Sequence, residues 1–206
     1  MTSLEKKQST KEKILEESIK LFANKGFHGV SIREIARTVG IKESSIYNHF
    51  TSKENILDTI FDQFQAEMET TVPSEEYLSK VLDGVSIEEF WRRGMNNFGS
   101  RTTTDRMSNV TRIIMYEMFR NERARDLAIS ELFTRQQEAV RMAFGVMESK
   151  GMIGDVDIYA LADAYSYAML SMQLEWGLRR SWGFDVGSVE DKMMRHIRFI
   201  SEFVAA

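Results

Sequence analysis

The sequence predicts an all-α protein. Three observations carry that prediction. There is a single proline, Pro73, in 206 residues. Good helix formers abound, thirteen methionines among them. Apolar residues recur at helical spacing behind Ser-x-x-Glu signatures that suit helix starts. At 43% apolar and 28% charged, the composition is that of an ordinary globular chain.

The elements follow in order. Residues 11–25 place Ile14, Leu15, Ile19, Phe22 and Ala23 on one face, with Ser9 and Glu12 as a capping box and Gly26 as a stop. Ser31 and Glu34 repeat the box before a short helix lined by Ile32, Ile35, Ala36 and Val39. Gly40 then lets the chain turn into "KESSIYNHF", a third helix of two turns. Two short helices joined by a glycine turn match a helix-turn-helix. Ser52 caps a fourth helix with Ile56, Leu57, Ile60, Phe61 and Phe64 inward, which Pro73 ends at or before Val72. Beyond it, helices are expected near 75–83, 87–98, 104–121, 125–149, 156–180 and 189–204. The expected architecture is a three-helix helix-turn-helix domain over 1–52, a connecting helix over 53–72 and a larger helical domain over 73–206, with about nine or ten helices in all.

There is no cysteine, which removes disulfides, thiolate nucleophiles and sulfur-ligated zinc. The three histidines, His28, His49 and His196, have no metal-ligand neighbour at i+4, and no nucleophile elbow or phosphate loop is present. No metal, no cofactor and no catalytic residue is therefore expected. The polar start lacks a signal-peptide core, and no apolar run is long enough to span a membrane, so a cytoplasmic protein is expected. Residues 1–53 hold ten Lys and Arg against six Asp and Glu, whereas 54–206 hold 17 against 25. A basic front on an acidic body suggests an anionic partner at the N-terminal end.

The third helix has little apolar surface of its own. Ile41, Ile46 and Phe50 can pack backwards, which leaves Lys42, Ser44, Ser45, Tyr47 and Asn48 near an outward face. In a helix-turn-helix that face enters the major groove. Lys42 and Lys53 can neutralise phosphates, and Ser31 can donate to one beside the free N–H groups of its helix. Taken singly, each is better read as a solvated side chain. Taken with the capped helix, the glycine turn and the charge bias, they point to DNA.

The stretch from Thr10 to Phe64 closely resembles the DNA-binding domain of TetR-family transcriptional regulators. The shared pattern includes "ILEESIKLFANKGF", the Ser31-Ile32-Arg33-Glu34-Ile35-Ala36 start, Gly40, Ile46-Tyr47-x-His49-Phe50 and Ser52-Lys53-Glu54. The resemblance implies a homodimer on a palindromic double-stranded operator, released by a small-molecule effector held in a divergent C-terminal domain. It implies phosphate contacts at Tyr47, His49, Lys53 and Ser31. Lys42, Glu43, Ser44, Ser45 and Asn48 are left as base readers. Repression is the family's commonest outcome. Activation, a small-molecule-converting enzyme with a DNA-binding domain, and a non-specific architectural binder are the alternatives.

The helix near 156–180 carries two apolar stripes. The bulky one, Leu161, Tyr165, Met169, Met172 and Trp176, is expected to line a pocket for a hydrophobic effector with Trp91 and Met115. A filled core is the alternative. The smaller stripe, Ala160, Ala164, Tyr167, Ser171, Leu174 and Leu178, is expected at a dimer contact with Met193, Ile197 and Ile200 of the last helix, because a helix apolar on two sides must bury both.

Overall fold

The computed structural model describes residues 9–69, 73–102 and 105–205, and every regular element among them is helical. In order they are α1 (Thr10–Lys25), α2 (Ile32–Val39), α3 (Glu43–Tyr47), α4 (Lys53–Glu69), α5 (Glu75–Val81), α6 (Ile87–Thr102), α7 (Asp105–Glu117), α8 (Glu122–Leu127), α9 (Arg135–Ser149), α10 (Ile158–Ser181) and α11 (Gly187–Val204). A π-helical stretch, Ala128–Thr134, joins α8 to α9. No helix among the described residues is long and apolar enough to cross a membrane.

Local chemistry sets the early boundaries. Ser9 and Glu12 close a complete capping box on α1. At α2 only half of the expected box forms. Ser31 Oγ accepts from the Glu34 N–H at 3.2 Å, but the Glu34 carboxylate takes Lys25 Nζ at 2.5 Å and so ties α2 to α1. The Lys25 ammonium holds that carboxyl below its ordinary pKa. Gly40 ends α2 in the left-handed region at φ 79° and donates its N–H to the Ala36 carbonyl at 3.0 Å. A Cβ there would meet nothing within 4 Å, so alanine would cost only the conformational penalty, about 1–2 kcal/mol.

The helices pack as two units, residues 1–70 with 102–129 and residues 71–101 with 130–206. In the first unit α1 to α4 close over Ile14, Ile19, Phe22, Ile35, Ile46, Ile56, Phe61 and Phe64, all buried. Helix α7 lies along α1 and also meets α4. Arg106 of α7 reaches Glu16 of α1 at 2.9 Å, and Gln63 of α4 at 2.7 Å. Arg123 of α8 pairs with Asp58 and Asp62 of α4. These arginines explain why the units are discontinuous, where the sequence suggested contiguous domains broken at 52 and 72.

In the second unit α5 packs on α9, α9 on α10 and α10 on α11. The core gathers Trp91, Phe144, Met147, Leu161, Tyr165, Met169, Val189 and Ile197. Two expected helices come out differently. The one expected over 104–121 stops at Glu117, because Asn121 caps a new helix by accepting from the Ala124 N–H at 2.9 Å. The one expected over 125–149 is interrupted by the π-helical stretch, where buried Glu131 meets Arg135 at 2.5 Å.

Candidate nucleic-acid interface

Helix α3 has five residues, too few to persist unaided. Its neighbours hold it: Ile46 and Phe50 are buried, and Ile41 is half-buried. Everything else it carries points outward. Lys42, Ser44, Asn48 and His49 are exposed, Tyr47 is 54% exposed and Ser45 is half-buried. The backward-packing set and the outward set fall where the sequence put them. Ser31 sits exposed at the start of α2. Its oxygen accepts from Glu34 N–H, which leaves the hydroxyl hydrogen to donate. Glu43 faces Arg33 of α2 at 3.8 Å, so it has a cationic neighbour within its own unit.

Lys53, expected to face a phosphate, is engaged within its own unit. Its ammonium donates to the Phe27 carbonyl at 2.9 Å and the Val30 carbonyl at 2.8 Å, and lies 4.2 Å from the Phe27 ring centroid. Two of its three N–H bonds are thus committed to the turn between α1 and α2. The sequence offered no local sign of this, because the carbonyls lie 26 and 23 residues earlier. Lys53→Ala is accordingly expected to cost about 1–3 kcal/mol of stability by stranding two carbonyls. Lys42→Ala, by contrast, should leave the melting temperature unchanged and lower the magnitude of the log K against log salt slope by about 0.9 on every duplex. Asn48→Ala should change base preference at a cost of about 1–3 kcal/mol. Titrations of the three variants at several salt concentrations, with thermal melts, separate these outcomes.

The residues expected in an effector pocket are divided between the two units. Met115 belongs to the first unit, whereas the other five belong to the second. Trp91, Tyr165 and Met169 are buried in the core. The Trp91 and Tyr165 ring centroids are 4.3 Å apart, Trp91 and Phe144 5.1 Å, and Tyr165 stacks on His196 at 5.6 Å. Burial pushes the Tyr165 phenol up and the His196 imidazole down. Met172 and Trp176 pack on the edge of this cluster, where the Trp176 indole N–H donates to Glu190 at 3.0 Å.

The two stripes of α10 separate cleanly. Leu161, Tyr165 and Met169 face the core, and Ala160, Ala164, Tyr167, Ser171, Leu174 and Leu178 are all exposed. The α11 side of the expected contact is corrected. Met193, Ile197 and Ile200 are buried in the unit's own core and are not offered to a partner. The exposed apolar groups of α11 are Phe199 and Phe203, 62% and 64% exposed, stacked with centroids 6.3 Å apart. Both faces of α11 carry large apolar residues, so its pattern alone did not say which one turned inward.

Residues 14–60 match the family model described as bacterial regulatory proteins, tetR family. Over 48 residues the chain is 44% identical to IcaR, the HTH-type negative transcriptional regulator of the biofilm operon icaADBC in Staphylococcus aureus, covering 23% of this chain and 26% of that protein. The chain thus spans about a quarter of the length of that curated relative. Solved structures extend the likeness across nearly the whole chain. A TetR-family transcriptional regulator from Agrobacterium tumefaciens superposes with a TM-score of 0.67 at 17% identity, over 97% of this chain and 99% of that one. A protein from Saccharomonospora viridis described as a transcriptional regulator, solved in complex with choline, gives 0.56 at 23% identity, over 95% and 97%. At these identities the structures speak for the fold.

Proposed function

We propose that the chain, whose residues 14–60 match the tetR family model, is a TetR-family, sequence-specific transcriptional regulator that binds a palindromic double-stranded operator as a homodimer. The observation that carries this reading is α3 itself. Ile46 and Phe50 fasten the helix from behind, and Lys42, Ser44, Tyr47, Asn48 and His49 stand outward beside the capped start of α2. A helix so presented can put its side chains on base edges in the major groove while α2 and its cap meet the backbone.

The homodimer rests on the exposed α10 stripe and on the exposed Phe199 and Phe203, apolar groups that a second copy would cover. Repression is the direction that the likeness to IcaR, a negative regulator, favours. Release by a small-molecule effector completes the reading, and the choline-bound structural neighbour supports it. In this reading the protein works in the cytoplasm, takes no cofactor and is not an enzyme. Selection from a random duplex pool tests it. An inverted repeat with half-sites one helical turn apart, or a multiple of it, is the expected product. A pool that stays unenriched after several rounds would refute it.

A further inference from the structure

Glu117 is the last residue of α7 and is only 5% exposed. Two local penalties attach to that position. A buried carboxylate costs more than a buried leucine of similar size. A negative charge at a helix C-terminus also opposes the helix dipole. The offsetting contact lies 90 residues earlier, where Glu117 Oε1 accepts the backbone N–H of Phe27 at 3.3 Å. Glu117 Oε2 stands 4.0 Å from Nε2 of the exposed His28.

Phe27 is gripped from the other side as well. Lys53 donates to its carbonyl at 2.9 Å and to the Val30 carbonyl at 2.8 Å. The Phe27 ring packs edge-on against Phe22 with centroids 5.3 Å apart. Thus an acceptor-only side chain takes the N–H of Phe27 and a donor-only side chain takes its C=O. Exchanging the two charges would leave both contacts mismatched. The turn so fixed ends at Val30, one residue before Ser31 caps α2. Whatever sets this turn therefore sets where α2 and α3 stand against α1.

We infer that Glu117 is a positioning residue for DNA recognition: through the Phe27 N–H, opposite Lys53, it holds the α1–α2 turn and hence the attitude of the α2–α3 pair. The inference rests on the proposed DNA-binding function and assigns to α7 a direct part in it.

Three variants and two readouts test the assignment. Glu117→Gln keeps an acceptor oxygen for the Phe27 N–H and should bind the selected duplex within about twofold of the parent protein, as should His28→Ala, since its exposed imidazole stands 4.0 Å from Glu117, beyond hydrogen-bond reach. Glu117→Leu removes the acceptor and should bind that duplex about 5- to 150-fold more weakly, with a smaller loss on a shuffled duplex. Amide exchange should quicken at Phe27 in the leucine variant while Phe22 and Ile35 stay protected. Unchanged affinity in Glu117→Leu would overturn the assignment. So would equal loss on both duplexes together with loss of core protection, which would make the residue merely structural. Should Glu117→Leu fail to fold, Glu117→Asp decides the matter. It keeps the charge but draws the carboxylate back by one methylene, so it should be weaker than Glu117→Gln; the reverse order overturns the inference. A parent protein that prefers no duplex at all would instead count against the DNA-binding reading.

Discussion

Ile46→Ala is expected to abolish specific DNA binding. Ile46 is fully buried and is the one residue of the five in α3 that faces the core. Removing a buried isoleucine side chain costs about 2–5 kcal/mol, and the loss falls on an element with no stability of its own. Even the lower figure corresponds to roughly 30-fold in affinity if binding requires α3 to be formed. Ser44→Ala, two residues away and exposed, should leave the fold unchanged and alter affinity only through any contact it makes. Circular dichroism with duplex titration checks both. An Ile46→Ala protein that binds the selected duplex as tightly as its parent would show that α3 is not the reading element.

The second large effect is on assembly. Tyr167→Glu combined with Leu174→Glu places carboxylates in the middle of the exposed α10 stripe, where the residues are 54% and 42% exposed in the single chain. Burying two such charges at a symmetric contact is strongly unfavourable, so the double variant should sediment as a folded monomer. Its affinity for the palindrome should fall by about 10²–10⁴-fold, the avidity gained by linking two half-sites. Met193→Glu should behave quite otherwise. Met193 is buried in the unit's own core, so that variant should lose its fold rather than its partner. A folded dimer in the Tyr167→Glu, Leu174→Glu double variant would move the contact to another surface.

The front of the chain was legible because its signals are local. Ser9, Ser31 and Ser52 accept from N–H groups three residues on, and Gly26 and Gly40 sit where positive φ is required. The outward set on α3 followed from the same short-range logic, since Ile46 and Phe50 fix the inward direction. The two stripes of α10 were readable from their helical spacing; Leu161, Tyr165 and Met169 of one are buried, and the other is exposed. What escaped was chemistry between distant residues. Lys53 reached back to Phe27 and Val30, Glu117 to Phe27 and Arg106 to Glu16, and none of these pairings leaves a trace in spacing. The same long-range contacts drew 102–129 into the first unit. Which methionines and aromatics line a pocket was not legible, because these residues are equally good at lining a cavity and at filling one. The break at 117–122 did have a local sign, Asn121, whose side chain favours a helix start over a helix interior.

The central claim is that the outward face of α3 reads a DNA sequence. The most direct measurement is the ratio of affinities, at one fixed salt concentration, for a selected palindrome and for a duplex of the same composition with its sequence shuffled. Fixing the salt removes the phosphate term common to both. A ratio of about 10³ or more is predicted, the range in which specific regulators stand above their own non-specific binding. A ratio near one would contradict the account.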